Sequence, residues 1–303
     1  MPVRLLSGRR YMKKKYLGII YIVLSAFCFA LKNMFVSLSG DLPSVQKSFF
    51  RNLVALVFAF AILKKDRVWF SGKRENIKYL FLRSAAGTVG ILCNYYAIDR
   101  MVLSDASMLN KMSPFFVIIF SFFILKEKIK PPQILIVAGA FLGSLLIIRP
   151  TAHIFQSPAA LVGLLGGLTA GLAYTYVRLL GEKGEKGPFV VFIFSTFSCV
   201  VTLPFLIFQY HAMSAMQLVY LLFAGLCAAG GQFSITAAYF HAPAREISVY
   251  DYSQIVFSAL LGFFVFGQIP DVLSWMGYAV ICVMAVLMFL YNNRGKDEGR
   301  THA

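Results

Sequence analysis

Lys111 and Asp251 are the residues in this chain best placed to do chemistry, because each is an ionisable side chain set inside an apolar run. At such depth an ionisable group costs at least about 2.5–3.5 kcal/mol on insertion scales, so by default it marks a pathway or a site. Lys111 follows Asn110 and shortly precedes Pro114 in LNKMSPFFVIIFSFFIL. Proline cannot donate to the carbonyl four residues back, that of Asn110, and its ring pushes that carbonyl aside, so a bend with a free acceptor is expected beside the lysine. Irregular backbone at membrane depth is tolerated only against protein or a wet cavity. In the second half, Ser248, Asp251 and Tyr252 fall on one helix face at i, i+3 and i+4, with Tyr250 and Gln254 as a neighbouring polar pair. Lys111 is suited to capture an anionic or zwitterionic group reversibly, and Asp251, displaced from the lysine, to take up a proton. Two plainer readings stand beside this one: a snorkelling lysine with a packing kink, and an ion pair that only neutralises two buried charges.

Further polar residues join the candidate substrate contacts: Asn110 itself, Asn94 and Tyr95 in the third apolar run, and Gln232 in the eighth. Tyrosines at helix ends also serve as interfacial belts. Lys32 and Arg178 stand at the far ends of the first and sixth runs, where gating or substrate attraction competes with snorkelling. Arg51 reads as a structural tie to helix-end carbonyls or a carboxylate, and Arg83 as a snorkeller near a helix end. There is no Gly-rich phosphate loop, Ser-His-Asp set or cluster of carboxylates, and the five cysteines lie in apolar runs without metal-ligand spacing. An enzyme is therefore not expected, nor a metal or any other cofactor.

The elements that must position these residues are membrane helices. Of 303 residues 59% are hydrophobic and 14% charged, with a mean hydropathy of +0.72, far from the roughly 25% charge of a soluble domain. The formal charge of +16 does not signal nucleic acid, because the basic residues flank hydrophobic runs and do not line one polar face. Ten runs follow by hydropathy: 16–37, 44–63, 77–98, 102–125, 131–148, 159–180, 188–209, 216–240, 247–267 and 272–291. The first is longer than a signal-peptide core and lacks a convincing cleavage site, so it reads as a retained anchor. Between the runs, 21 Lys and Arg fall on one side and 3 (Lys47, Arg100 and Arg149) on the other. That asymmetry places both termini in the cytoplasm, in an inner (plasma) membrane.

Sliding the chain along itself by 141 residues pairs Ser107 with Ser248, Phe116 with Phe257, and Phe122-Phe123 with Phe263-Phe264. The same shift pairs Asn110 with Asp251 and Lys111 with Tyr252. Five spans per half is an odd number, so the second half enters the membrane from the opposite side. The fold class expected is an all-α polytopic membrane protein of ten transmembrane helices in two inverted five-helix repeats, 1–151 and 152–303, meeting near 152–158. Small-xxx-small patterns at Gly139/Gly143 and Gly163/Gly167/Gly171 point to close helix packing.

The signature NYYAIDRMVLSDASMLNKMSPFFVIIFSFFILKEKI, with SFFRNLVAL in the second span and AYTYVRLL in the sixth, resembles the EamA-type proteins of the drug/metabolite transporter superfamily. The resemblance implies a central cavity lined mainly by the first, third and fourth spans and their mates, the sixth, eighth and ninth. It sets Arg51 on a span away from that cavity. The second half departs from the pattern, with Ile255 where Pro114 repeats and Gln268 where Glu127 repeats. The resemblance implies a transporter of small metabolites and fixes a class, not a cargo; the function expected is secondary transport of a small metabolite, most of all an amino acid or related carboxylate, by alternating access around a midplane site. Two other classes stay open: a broad exporter of lipophilic cations or drugs, and a non-transporting membrane sensor or assembly protein. The partners expected are a small-molecule substrate and the lipid bilayer, with a homodimer as an open assembly state and no nucleic acid.

Overall fold

A computed structural model describes residues 2–66, 72–100, 109–148, 158–267 and 269–294 of the chain. Ser107, Arg149, Gln268, the first part of the fourth run and the junction 152–157 lie outside the described residues. Described secondary structure is entirely helical. The long helices are α1 (Pro2–Leu38), α2 (Ser44–Lys65), α3 (Ile77–Arg100), α4 (Ser113–Leu125), α5 (Pro131–Ile148), α6 (Pro158–Glu182), α7 (Gly187–Phe208), α8 (Ala215–His241), α9 (Ser253–Phe266) and α10 (Val272–Arg294). Among the described residues, eight spans are long and apolar enough to cross a membrane. They include Ala244–Phe266, which takes in α9 and the turns before it. Large apolar side chains stand exposed on the outside, Phe123, Leu135, Phe208 and Val272 among them. Such a surface belongs in lipid, where a helix also satisfies its own backbone. The chain is an integral membrane protein.

Prolines open several of these helices. Pro114, Pro131, Pro158 and Pro188 sit in first turns, where the missing N–H would have had no partner. Two helices close alike: α4 ends on Lys126 at φ 54° and α9 on Gly267 at φ 64°, both left-handed. Glycine accepts that conformation without strain, and lysine does not.

The helices pack in a crossed arrangement. α1 lies along α8 and α3 along α6, while α4 leans on α6 and α9 on α1. α2 packs on α7 and α8, α3 also meets α7, and α5 pairs with α10. Glycines permit these approaches. A Cβ at Gly90 would press on the backbone of Gly166 and Ala170, and one at Gly167 on the carbonyl of Leu109.

The fourth and ninth spans are both interrupted, which changes the expectation of a bent but continuous fourth span and a regular ninth one. Backbone is helical at Leu109 and Asn110, makes a turn at Lys111 and Met112, and resumes as helix at Ser113. Pro114 thus helps to start α4 and does not kink a longer helix. The ninth run consists of a single turn, Ala244–Ile247, a 3-10 stretch, Ser248–Tyr252, and then α9. Ser248, Asp251 and Tyr252 accordingly do not share an α-helical face. At about 1.5 Å per residue α4 and α9 are each roughly 20 Å long, short of a 30 Å hydrocarbon core, so the interruptions lie inside it.

Candidate functional site

Lys111 and Asp251 meet where the two interruptions face each other. Lys111 Nζ donates to Asp251 Oδ2 at 3.1 Å, to Gln254 Oε1 at 2.8 Å and to the Asp251 carbonyl at 3.4 Å. Both residues are buried, at 8% and 9% exposure. The broken backbone is answered by a side chain: Phe115 N donates to the Met112 carbonyl instead of that of Lys111. Tyr252 O–H takes the vacated Lys111 carbonyl at 3.1 Å. On α6, Gly163, Gly167 and Gly171 form the seat for this turn, since a Cβ at each would meet Leu109 or Phe116.

The pair opens on a central cavity of about 120 Å³. Asn94, Tyr95, Asn110, Gln232 and Lys32 line it together with Lys111 and Asp251. Gln232 Nε2 is buried without a hydrogen-bond partner among the described residues, so it is a donor held ready. Lys32 rests near the Phe29 ring, 5.7 Å from its centroid. Two of the candidate substrate contacts lie outside the lining. Ser248 Oγ donates to the Ala244 carbonyl at 2.7 Å, and Tyr252 serves the Lys111 backbone.

Two arginines judged peripheral from the sequence also line this cavity. Arg83 is no snorkeller: it is 2% exposed, its guanidinium carbon is 3.8 Å from the Phe194 ring centroid, and its Nε has no partner among the described residues. Gly87, one turn on, leaves room for the guanidinium; a Cβ there would strike Nη1. That Arg-xxx-Gly spacing was the available signal. Nor is Arg51 tied to a helix-end carbonyl or carboxylate among the described residues. At Gly225, α2 comes close enough to α8 for a Cβ to touch Val54 and Phe50, and this brings the adjacent Arg51 to the central space. Lys32, Arg51, Arg83 and Lys111 therefore surround a single carboxylate, Asp251, among the described lining residues.

Arg178 belongs to a separate cluster at the end of the bundle where α4, α6 and α8 terminate. It binds Glu182 at 2.9 Å and approaches Glu127 at 3.6 Å. It also donates to the carbonyls of Tyr239 and Phe240 at 3.1 and 3.4 Å, a favourable place for a cation at a helix C-terminus. Nearby, Arg245 donates to the Lys128 carbonyl at 2.8 Å. Burial pushes the Glu127 carboxyl above the usual carboxylate range, against the pull of Arg178 and Arg245 and with a smaller push from Glu182.

A polar, cation-rich cavity between interrupted helices of a membrane bundle is the build of a transporter of small molecules. Comparison with known proteins gives the family. The profile of the EamA-like transporter family matches residues 16–149 and again residues 157–290, and the chain belongs to that family. It is 30% identical to the pseudopaline exporter CntI of Pseudomonas aeruginosa (strain UCBPP-PA14) over 273 residues, 89% of this chain and 95% of the relative. It is 27% identical to solute carrier family 35 member G1 of Homo sapiens, over 89% of this chain and 77% of the relative. The riboflavin transporter of Rhizobium johnstonii is 24% identical, with 93% of each chain covered. One crystal structure superimposes with a TM-score of 0.77 at 14% identity, covering 92% of this chain and 98% of that one, which shows a shared fold. The protein is a transporter of small metabolites and not an enzyme.

Proposed function

We propose that the chain is a secondary transporter of amino acids or related carboxylates, working by alternating access around the Lys111–Asp251 pair. The observation that carries this is the pair itself, 3.1 Å apart between two broken helices and facing a cavity with four cations and one carboxylate among its described lining residues. An arriving anion competes with Asp251 for Lys111, and the displaced aspartate takes up a proton, which couples transport to the proton gradient. Asn94, Tyr95, Asn110 and Gln232 hold the cargo's polar groups. Ser248 and Tyr252 act indirectly, by fixing the two interruptions. Lys32 draws anions into the cavity, and Arg178, bridging α6 to the end of α8 and to Glu127, is a gate.

The frame for this cycle is ten spans in two inverted halves, 1–151 and 152–303, with both termini on the cytoplasmic side of the inner membrane. Three features support it. One family profile matches twice. The contacts exchange when each helix is replaced by its mate five places on: α1 with α8 becomes α6 with α3, and α4 with α6 becomes α9 with α1. Left-handed caps recur at Lys126 and Gly267, a spacing of 141 residues, the shift that pairs Lys111 with Tyr252. The exporter of lipophilic cations is disfavoured by the same cavity, where a cation would meet four like charges. It is also small beside the roughly 300–1,000 Å³ of drug-sized sites. The test is uptake of a labelled metabolite panel into proteoliposomes, with and without an imposed proton gradient. Lys111→Met should abolish transport, and Asp251→Asn should remove gradient dependence while sparing binding. Normal transport by Lys111→Met would sink the reading.

A further inference from the structure

We infer that the cargo carries at least two separate anionic groups, one for Lys111 and a second for Arg51 and Arg83. This rests on the proposed role of Lys111 and goes beyond it by naming a second station. Asp251 can balance one of the four lining cations, and it is already engaged by Lys111. Arg51 and Lys111 both repel Lys32 as like charges, and Arg51 acts the same way on Arg83. Crowding cations away from water is costly unless an anion joins them. A cargo with one carboxylate would satisfy Lys111 and leave the arginines as they are.

Arg83 is built as a receptor. Phe194 covers one face of its guanidinium, Gly87 leaves room at its rim, and the buried Nε is unused among the described residues. A planar fork held in this way matches a carboxylate or a phosphate in bidentate fashion, which a lysine cannot do. Arg51 adds charge from α2, so the second station is formed by α2 and α3 whereas Lys111 stands at the head of α4. The Nε2 of Gln232, without a partner among the described residues, supplies a neutral donor in the same cavity. In so small a space the two anionic ends must lie close together, as on a short dicarboxylate.

The experiment is ligand-dependent thermal stabilisation of the full chain in lipid nanodiscs at fixed ionic strength. Succinate and glutarate are compared with butyrate and valerate, and with glycerol 3-phosphate, whose two charges share one group. Each dicarboxylate should bind at least about tenfold more tightly than its monocarboxylate partner, the worth of one added charge-assisted hydrogen bond. Arg51→Gln and Arg83→Gln should each bring that ratio toward one. If neither dicarboxylate exceeds its partner in the unmodified protein, the inference is overturned, whether or not the variants fold. Tighter binding of glycerol 3-phosphate than of both dicarboxylates overturns the separation of the two stations. Lys111→Met should weaken all of these acids. If it binds butyrate like the unmodified protein, the role of Lys111 fails, while the dicarboxylate ratio still decides the arginine station.

Discussion

Removing the acidic partner of the central pair should harm the fold more than removing the basic one. Lys111 Nζ and Asp251 Oδ2 are 3.1 Å apart with side chains only 10% and 12% exposed. At an effective dielectric of about 20 their attraction is roughly 5 kcal/mol before desolvation, and breaking a buried pair by deleting one member costs about 3–5 kcal/mol. The surroundings decide where in that range each variant falls. Lys111→Met leaves Asp251 with Lys32, Arg51 and Arg83 still lining the same cavity, so the stranded carboxylate keeps cations near it and the loss should be near 3 kcal/mol. Asp251→Asn leaves four cations and no carboxylate among the described lining residues, and its loss should be near 5 kcal/mol. Unfolding in nanodiscs, followed for both single variants and the double, gives the ranking and the coupling. The double variant should cost less than the sum of the singles. Succinate should restore Asp251→Asn more than Lys111→Met, since it replaces the missing charge. Greater loss for Lys111→Met, or no rescue of Asp251→Asn by any anion, would refute the view of this cavity as a cation cluster held by one carboxylate.

Three further outcomes follow from individual contacts. Gly167→Ala puts a methyl group against the Leu109 carbonyl, a backbone atom at the interruption; it should destabilise by about 1–3 kcal/mol and slow transport, and an unchanged unfolding midpoint would contradict the close approach. Lys126→Gly relieves a left-handed lysine at φ 54° and should stabilise by about 1 kcal/mol, read as a raised midpoint in the same assay. Glu127 has a carboxyl raised above its ordinary 4.5 by burial, so the folded chain holds that proton more tightly than the unfolded one. Its contribution to stability is complete below pH 4.5 and is lost as pH rises through the raised value. Glu127→Gln should remove this slope, and parallel midpoint-against-pH curves for the two proteins would show that it does not exist.

Much of the architecture could be read in the sequence because lipid imposes a simple rule: apolar runs of about 20 residues become helices, with Lys and Arg at their ends. Hydropathy located 131–148 to the residue and most other spans to within one or two residues. The larger departures are the first run, whose helix already begins at Pro2, the tenth, whose helix continues to Arg294, and the fourth and ninth, whose apolar composition conceals the interruptions. Lys111, Asp251, Asn94, Tyr95, Asn110 and Gln232 were legible as cavity residues, since a polar group inside an apolar run has few other places to go, whereas Lys32, read as a gate at a helix end, also lines the cavity. Arg51 and Arg83 were not legible. Arg83's place near a helix end suggested snorkelling and Arg51's span suggested a structural tie away from the cavity, and what turns them inward is tertiary: the tight approach at Gly225 and the Phe194 face beside Gly87. Depth along a helix is written in the sequence, but the side of the helix facing a cavity depends on neighbours distant in the chain.

The two interruptions, one in each stretch matched by the family profile, arise by different means. In the first half a proline without an N–H lies three residues past Lys111 and starts a new helix. In the second half Ile255 stands at the place of that proline, and the backbone still departs from α-helix over Ser248–Tyr252. There the work falls to side chains: Ser248 Oγ donates to the Ala244 carbonyl and Ser253 Oγ to the Tyr250 carbonyl, local bonds of the kind that compete with the helical ladder. Tyr252 then links the two breaks by donating to the Lys111 carbonyl. Each break thus has its own local cause, and the hydroxyl and the Lys111–Asp251 bridge join them. In the proposed cycle, an anion that draws Lys111 away from Asp251 acts on both broken helices at once. A lysine buried merely to pack would have no reason to lie at the point where both halves of the chain give up their helical hydrogen bonds.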